Sequence, residues 1–401
     1  MSDVLSNPTK YFWITLFQSS SFLAPVLTLF YLQRGLDYQQ IFIFYTSIVV
    51  SMFLFEVPTG IFGDKYGRKT SIVAGLVGWI IFTFGLLFAD TFWEFFFLFI
   101  LSGITLTFAS GSDEAMIYDS LKQVKKEKQM KKYMGKIISA RFLPLIIIAP
   151  LGSIIAKDLT SFQFTSLILG NLLFTIIAFF ISLSLVEPKV ESGPHEIRSP
   201  FTLFKMSIQH IRNSPKLVSM FMNKTLILIP GSHLFAILWQ PYLQTSGVPI
   251  FFFGILTAIS SLIIFLLNQN INKIDSILNG RRIIFYTGLL PLVAFVLGAL
   301  FQNILLALLF YFVIKIAIWL RDPIFSQYLN EHIESHNRAT VLSSLSMIDS
   351  FFDVIIFLSA AFITKISLSY SFLFSAGLML LALLFFRVTK EQITVKDVKM
   401  Q

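Results

Sequence analysis

The feature that most constrains this chain is a succession of apolar runs, each about 20 residues long, separated by short polar or turn-forming segments. An α-helix rises 1.5 Å per residue, so a run of this length is enough to cross the hydrocarbon core of a bilayer. The sequence therefore predicts an all-α membrane protein with twelve transmembrane helices. The runs lie near residues 11–32, 40–62, 71–89, 93–117, 135–156, 163–186, 216–243, 250–271, 283–301, 303–325, 338–364 and 369–388.

The composition excludes a soluble globular domain. Only 13% of the residues are charged and 55% are hydrophobic, whereas a soluble domain carries roughly a quarter charged residues. The chain has no cysteine, which excludes disulfides, thiolate catalysis and thiolate metal sites. The N-terminal region lacks a short apolar stretch followed by a small-residue cleavage site, so we expect no secretory signal and retention of the first run as a span.

The distribution of Lys and Arg predicts the orientation in the membrane. If the N-terminus is cytoplasmic, almost all of the 31 basic residues fall in cytoplasmic segments, Arg321 among them. The loops on the other side hold only Arg34, Lys157 and Lys365. Because short cytoplasmic loops are enriched in Lys and Arg, we expect both termini in the cytoplasm and the chain in the cytoplasmic (inner) membrane. The same bias explains the net charge of +9 without a nucleic-acid partner.

A polar stretch from Glu187 to Pro215 divides the runs into two groups of six. We expect two pseudo-symmetric six-helix bundles at 1–186 and 216–401, the latter with a cytoplasmic tail, joined by a cytoplasmic loop at 187–215. An internal echo supports duplication, since Gly67-Arg68-Lys69 precedes the third run and Gly280-Arg281-Arg282 precedes the ninth. Parallel halves with a substrate site near the membrane midplane are a known plan of secondary transporters.

The loop between the second and third runs carries a glycine-rich charged motif, Gly60-Ile-Phe-Gly63-Asp64-Lys65-Tyr66-Gly67-Arg68-Lys69. Glycines at Gly63 and Gly67 permit close helix approach and a tight turn, and Asp64 is suited to a helix N-terminus. The motif and its place resemble the signature loop of the major facilitator superfamily. The resemblance covers the whole chain and implies the fold of that family, a transporter rather than an enzyme, and function as a monomer without a cofactor.

The resemblance also implies a cytoplasmic gate and a branch of the family. In the family the loop Asp and Arg join an acidic residue at the end of the fourth span, which here is Asp119, with Asp113 and Glu114 nearby. Together with Glu56-Val-Pro-Thr-Gly60 and Arg338-Ala-Thr-Val-Leu-Ser343, the pattern is similar to bacterial drug-efflux-like permeases. The chain departs from proton-coupled exporters at two places: Phe99 stands where many have Arg, and the fifth-span motif is reduced to Ala149-Pro150-Leu151-Gly152-Ser153.

Ionisable residues inside the predicted spans are candidates for a substrate or proton site, because charge in hydrocarbon is costly and usually faces the bundle interior. The candidates are Glu56, Arg141, His233, Lys315, Asp349 and Asp353. Asp349 and Asp353 are four residues apart and therefore share a helix face. Each has a structural alternative: Glu56 as a gate partner, Arg141 paired with a carboxylate such as Glu56, and the two Asp residues neutralising Lys315 or Arg141.

Two further residues of the seventh span have structural interpretations. Lys224 lies near the cytoplasmic end and is expected to extend its amine toward water. His233 follows Pro230-Gly231, where we expect a kink, and a lone His is more often a packing residue than a proton relay. Gln18 and Phe22 of the first span are expected to line the cavity on position alone.

The sequence leaves several functions open. The first hypothesis is a secondary active transporter that works by alternating access and exports drug-like or amphipathic compounds in exchange for protons. The second is an importer or uniporter of a defined, anionic metabolite held by Arg141 or Lys315. A membrane enzyme or a non-transporting sensor is the alternative from another class, but the five His residues are scattered and form no recognised catalytic or metal-binding spacing.

Overall fold

A computed structural model describes residues 4–189, 215–331 and 338–388, and within these ranges the chain is helical, with no β-strand. The fold class predicted from the apolar runs is thereby confirmed. The helices before residue 190 are α1 (Asn7–Ser19), α2 (Leu27–Gln33), α3 (Tyr38–Tyr66), α4 (Arg68–Gly85), α5 (Phe92–Ala109), α6 (Ser112–Gln123), α7 (Met130–Ile155) and α8 (Ser161–Leu183).

The helices after residue 214 are α9 (Pro215–Leu228), α10 (Phe235–Thr245), α11 (Phe251–Gln269), α12 (Ile271–Leu278), α13 (Gly280–Leu300), α14 (Ile304–Glu331), α15 (Arg338–Thr364) and α16 (Leu368–Phe385). The central stretch predicted to be a cytoplasmic loop lies mostly outside the described residues, as do His332 and His336.

Among the described residues, 11 helical segments are long and apolar enough to cross a membrane. Helix α4 takes the place of the third predicted run but does not reach the same hydropathy, because it begins with Arg68 and Lys69. Large apolar side chains point away from the protein interior along these segments; Phe162 is 80% exposed and Phe385 is 71% exposed. Side chains of this kind are stable at a surface only against lipid, which supports the membrane assignment.

Two predicted spans contain breaks. The first is helical to Ser19, leaves helical geometry at Ser20 and resumes through a short 3-10 turn at Ala24–Val26 before α2. In the seventh, α9 and α10 are joined by a π-helical turn, Ile229–Leu234, which contains Pro230. Proline has no N–H to donate to the helix ladder, so the expected kink takes the form of this wider turn.

The described residues fall into two compact units. The first unit is made of those within Met1–Pro200 and Pro249–Ser261, and the second of those within Phe201–Val248 and Leu262–Gln401. The start of α11 belongs to the first unit because it packs on α7: Ser153 Oγ donates to the carbonyl oxygen of Phe251 at 2.8 Å. A Cβ at Gly254 would overlap the carbonyl group of Ala149. The division into bundles at 1–186 and 216–401 remains a prediction.

Each unit has its own apolar core. In the first unit, buried side chains of α1, α4, α6, α7 and α8 pack together around Ile14, Met116 and Ile117. In the second unit, the corresponding cluster joins α9, α13, α14 and α15 around Met220, Phe221 and Phe325. These cores hold the helices that carry the polar side chains described next.

Candidate functional site

The predicted gate motif spans the end of α3 and the start of α4. Asp64 lies in the last turn of α3, and Arg68 is the first residue of α4. Arg68 Nη1 donates to Asp64 Oδ1 at 2.8 Å, and both side chains are partly exposed. An exposed pair of this kind contributes at most about 1 kcal/mol to stability, so its interest lies in position rather than in strength.

The turn between α3 and α4 depends on Gly67, as the motif suggested. Its φ of 97° lies in the region that favours glycine. A Cβ there would also come within 2.7 Å of the Glu187 carboxyl carbon. The close approach exists because Glu187 accepts hydrogen bonds from the backbone N–H groups of Arg68 at 2.6 Å and Lys69 at 2.7 Å.

Glu187 therefore supplies the negative charge at the N-terminus of α4, where an anion stabilises the exposed N–H groups. The suggestion that Asp64 takes this place is wrong, because Asp64 belongs to the preceding helix. Glu187 follows α8 and is 119 residues from Arg68 in sequence, so no local signal in the motif could have identified it.

The remaining gate residues have different surroundings. Gly63 is buried, and a Cβ there would lie 3.2 Å from Ser112 Oγ, so it allows α3 to approach α6. Gly60 has no atom near its missing Cβ. Asp119 is half-buried on α6 and has Arg68 and Lys122 as its nearest positive charges, but it makes no ion pair among the described residues. The latch of Asp64, Arg68 and Asp119 stays a prediction.

Glu56 and Arg141, the two candidates inside spans of the first unit, are not brought together. Both side chains are exposed at the surface of the first unit, and within the described residues neither forms an ion pair with the other. The hypothesis that Arg141 pairs with Glu56 is therefore not supported by the geometry.

The break in the first span is held by α8. Asn171 Oδ1 accepts from the backbone N–H of Phe22 at 2.7 Å, and Asn171 Nδ2 donates to Ser21 Oγ at 3.1 Å. The Phe22 ring stacks on Phe174 at 5.5 Å between centroids. Non-helical backbone at membrane depth needs such partners, because lipid offers no hydrogen bonds.

A cavity of about 370 Å³ lies beside this break, inside the first unit. All the described side chains that line it are uncharged, and they combine hydroxyl and amide groups with aromatic rings. Gln18 lines it, as expected from its position; Phe22 does not. The volume suits a small organic molecule. Its polar and aromatic lining includes Gln18, Ser21, Asn171, Tyr31, Tyr45 and Trp79.

The second unit carries a cluster of charged side chains between the seventh span and α15. His233 Nδ1 lies 2.7 Å from Asp353 Oδ1, and Asp353 is 8% exposed. One helical turn away, Asp349 accepts a hydrogen bond from the Thr225 hydroxyl and lies 3.9 Å from Lys224 Nζ. The i,i+4 spacing of the two Asp residues thus aims both at one neighbouring segment.

The local structure of the seventh span explains why His233 and Asp353 lie in contact. The π-helical turn Ile229–Leu234 contains His233, and π-turns re-aim side chains relative to a regular helix. His233 is not isolated, since it has a carboxylate partner in Asp353; its role as a packing residue or a proton relay stays a prediction. Lys224 likewise points to Asp349 rather than only toward water. We call Lys224, Thr225, His233, Asp349 and Asp353 the polar cluster.

Lys315 stands apart from the polar cluster. Its Nζ donates to the Tyr311 hydroxyl at 3.0 Å and lies 5.2 Å from the centre of that ring. The alternative in which Asp349 or Asp353 neutralises Lys315 is not what the structure shows, because those carboxylates face the seventh span.

The location of Arg321 differs from the one predicted from the sequence. It was assigned to a cytoplasmic segment, yet it lies within α14 and is 2% exposed. Its Nη2 donates to Asn223 Oδ1, and its Nη1 donates to the carbonyl oxygen of Ile284 and, at 3.3 Å, to Thr287 Oγ1. The guanidinium thus ties α14 to α9 and α13.

Comparison with known proteins agrees with this architecture. The sequence profile of the Major Facilitator Superfamily matches residues 13–352. An uncharacterized MFS-type transporter of Bacillus subtilis (strain 168), YxaM, is 25% identical over 237 residues, 56% of this chain; the chain spans about half the length of this relative, 55%.

Solved structures show the same fold at low identity. A crystal structure of a mutant of the nucleoside transporter NupG matches with a TM-score of 0.79 at 15% identity, over 95% of this chain and 98% of that one. A D-xylose-proton symporter matches with a TM-score of 0.74 at 13% identity, over 98% of this chain and 99% of that one.

The pattern of apolar runs, the glycine-rich charged loop and these similarities define a membrane transporter rather than an enzyme. The chain belongs to the Major Facilitator Superfamily. The similar structures are named for a nucleoside and for a sugar with a proton, so fold likeness alone assigns neither a substrate nor a direction.

Proposed function

We propose that this protein is a proton-coupled secondary transporter that moves an uncharged or amphipathic small molecule across the cytoplasmic membrane by alternating access, in the direction of export. Both termini lie in the cytoplasm in this proposal, and the protein acts as a monomer. The observation that carries it is the contact between His233 and Asp353, at 2.7 Å, inside the second unit.

The chemistry of this contact suits proton coupling. A protonated imidazole and an ionised carboxylate attract each other, and a proton added to the carboxylate removes that attraction. A hydrogen bond to a charged group is worth roughly 1.5–3 kcal/mol, enough to shift a two-state equilibrium by an order of magnitude or more. Protonation would therefore change how firmly α15 is held to the seventh span.

Asp349 and Lys224 form a second charged pair in the polar cluster. Asp349 lies on the same helix face as Asp353 and faces Lys224 at 3.9 Å. Two carboxylates opposite one permanent cation and one titratable imidazole give a cluster whose net charge changes by one with each proton bound. Intramembrane groups of this kind mark proton or ion pathways in transporters.

The cavity beside the break in the first span supports the substrate class. Its lining is uncharged and rich in aromatic rings, which suits a molecule with an apolar, ring-containing body and a few hydrogen-bonding groups. An anionic metabolite remains the second candidate because Lys315, near the middle of α14, has no carboxylate partner among the described residues.

The test is substrate-driven proton flux in proteoliposomes that enclose a pH-sensitive dye. The panel contains lipophilic cations, neutral aromatic compounds and small organic anions. We expect proton movement with compounds of the first two classes, and loss of its pH dependence in Asp353→Asn and in His233→Gln. Glu127→Gln, in an exposed segment, is the matched control and should behave as the parent.

Three results would each count against a part of this proposal. Flux triggered only by organic anions would favour the second substrate class and import or uniport. Unchanged pH dependence in both Asp349→Asn and Asp353→Asn would remove the polar cluster as the proton site. No flux with any compound, from protein shown to be folded, would favour a uniporter or a non-transporting sensor.

A further inference from the structure

A second cavity, of about 430 Å³, lies at one end of the second unit, where α13 begins and α16 ends. Three arginines line it: Arg281 and Arg282 at the start of α13, and Arg387 just after α16. None of the described side chains that line the cavity is acidic. This cavity is separate from the polar cluster and shares no residue with it.

The described part of the chain does not neutralise the charge in this cavity. Among the described residues, none of the three arginines has an ion-pair partner. The N-terminus of α13 lies beside this cavity, and because helix dipoles are positive at that end it adds to the positive potential. Three like charges around one space repel each other, so an anion bound between them relieves that repulsion.

A fourth guanidinium lies directly behind the cavity wall. Asn223 and Ile284 both line the cavity, and both accept hydrogen bonds from the buried Arg321. Among the described residues Arg321 has no carboxylate partner within ion-pair distance, and its Nε has no hydrogen-bond partner. The wall is therefore positive in its interior as well as on its surface.

The rim of the cavity is apolar. Phe285 and Tyr286 line it and are exposed, and Leu384 and Phe385, beside Arg387, are 65% and 71% exposed. Aromatic side chains at a helix end next to basic residues are typical of the membrane interface. An occupant thus meets cationic groups inside the cavity and apolar groups at its rim.

We propose that this cavity binds the phosphate headgroup of an anionic membrane lipid, with the acyl chains lying along Phe285, Tyr286 and the end of α16. Arginine binds phosphate oxygens through paired N–H groups, and basic pockets between membrane helices bind anionic headgroups. The bound lipid bridges α13 and α16 and stabilises the second unit. A free phosphate would use the same arginines but not the apolar rim.

The experiment measures lipid binding to the purified full-length protein by native mass spectrometry, during titration with palmitoyl-oleoyl phosphatidylglycerol in mixed micelles. Phosphatidylcholine is the neutral comparison, and glycerol phosphate supplies the headgroup without chains. The variant R281Q/R282Q/R387Q removes the three charges. The control K125Q/K126Q/K128Q removes three charges from an exposed segment of the first unit.

We expect the arginine variant to bind phosphatidylglycerol at least tenfold more weakly than the parent, since each basic residue near an anionic surface adds roughly fivefold in affinity. The lysine control should stay within twofold, and R281K/R282K/R387K should retain most of the binding. Equal losses in the arginine variant and the lysine control would show only non-specific charge attraction and overturn the site. Equal affinity for glycerol phosphate would identify a free anion and overturn the lipid assignment.

If R281Q/R282Q/R387Q fails to fold, the single change Arg387→Gln serves instead, because this side chain is exposed beyond the end of α16. It should lower the affinity about fivefold. Parental affinity in Arg387→Gln would contradict the proposed bridge between α13 and α16. Transport activity is not the readout, so failure here is distinguishable from failure of the proton-coupling proposal.

Discussion

Replacing Arg321 by Met asks whether a buried guanidinium stabilises the second unit or only occupies it. Arg321 is 2% exposed and has no carboxylate within ion-pair distance among the described residues. Its hydrogen bonds go to Asn223 Oδ1, to the carbonyl oxygen of Ile284 and to Thr287 Oγ1. Methionine is unbranched and fills a similar path through the core without any donor.

The expected loss comes mainly from Asn223. Without Arg321 its side-chain oxygen stays buried and unpaired, while its Nδ2 still donates to the carbonyl oxygen of Ala382 at 3.1 Å. A buried acceptor without a partner costs about 1–3 kcal/mol. Thr287 keeps its hydrogen bond to Ile283 at 2.6 Å, so it contributes little. The carbonyl oxygen of Ile284 also loses a donor, so the total loss is about 2–4 kcal/mol. Relief of guanidinium desolvation offsets part of this loss and leaves a net destabilisation of about 2 kcal/mol.

The assay is thermal unfolding of the purified protein in one detergent, followed by tryptophan fluorescence at a fixed scan rate, because unfolding of such proteins is commonly irreversible. A loss of about 2 kcal/mol corresponds to a fall in apparent Tm of roughly 4–8 °C. Thr287→Val, which removes the longest of the three Arg321 contacts together with the Thr287 hydrogen bond to Ile283, should lower the Tm by less than half as much. An unchanged or higher Tm in Arg321→Met would refute the reasoning and show that desolvation outweighs the hydrogen bonds.

Three more substitutions test other parts of the structure. Gly67→Ala should lower the apparent Tm by several degrees, because a φ of 97° is strained for alanine and its Cβ would displace Glu187; a parental melting curve would contradict this. Asn171→Ala should destabilise the protein by about 1–3 kcal/mol, because the backbone N–H of Phe22 loses its acceptor. The hydrogen-exchange rate of the Phe22 amide should be well above its rate in the parent protein. Asp64→Asn should abolish transport while the protein still inserts and purifies normally, and normal transport by that variant would exclude the gate role.

Much of the fold was predictable because bilayer thickness imposes a length on every span. Pro230-Gly231 predicted a kink in the seventh span, where the structure has the π-helical turn. Helical periodicity alone predicted that Asp349 and Asp353 share a face. The partners of these carboxylates were not predictable in the same way. Lys224 and His233 lie more than a hundred residues from them in sequence, and only packing of the second unit brings them together.

Arg321 shows that the position of a basic residue along the sequence does not by itself predict whether its side chain lies in water or inside the protein. The positive-inside rule assigns basic residues near span ends to the cytoplasmic side, and Arg321 lies near the end of the predicted run 303–325. The helix continues to Glu331, which places the guanidinium inside the unit rather than in water. Glu187 was not predictable either, because its carboxylate binds backbone N–H groups at the start of α4, which is far from it in sequence.

The second unit has three charged features: Arg321, the polar cluster and the arginines of the second cavity. They differ in how far water reaches them, and each is therefore suited to a different function. Arg321 is enclosed by hydrogen-bond partners, so loss of its charge would leave buried acceptors unpaired and destabilise the unit. The polar cluster pairs carboxylates with an imidazole and an amine, which is why we propose it as the proton site. The arginines of the second cavity are open to the surroundings and lack partners among the described residues, which suits an external anion. The proton coupling that we propose needs the middle case, because a charge held between two packed segments links a change in charge to helix packing.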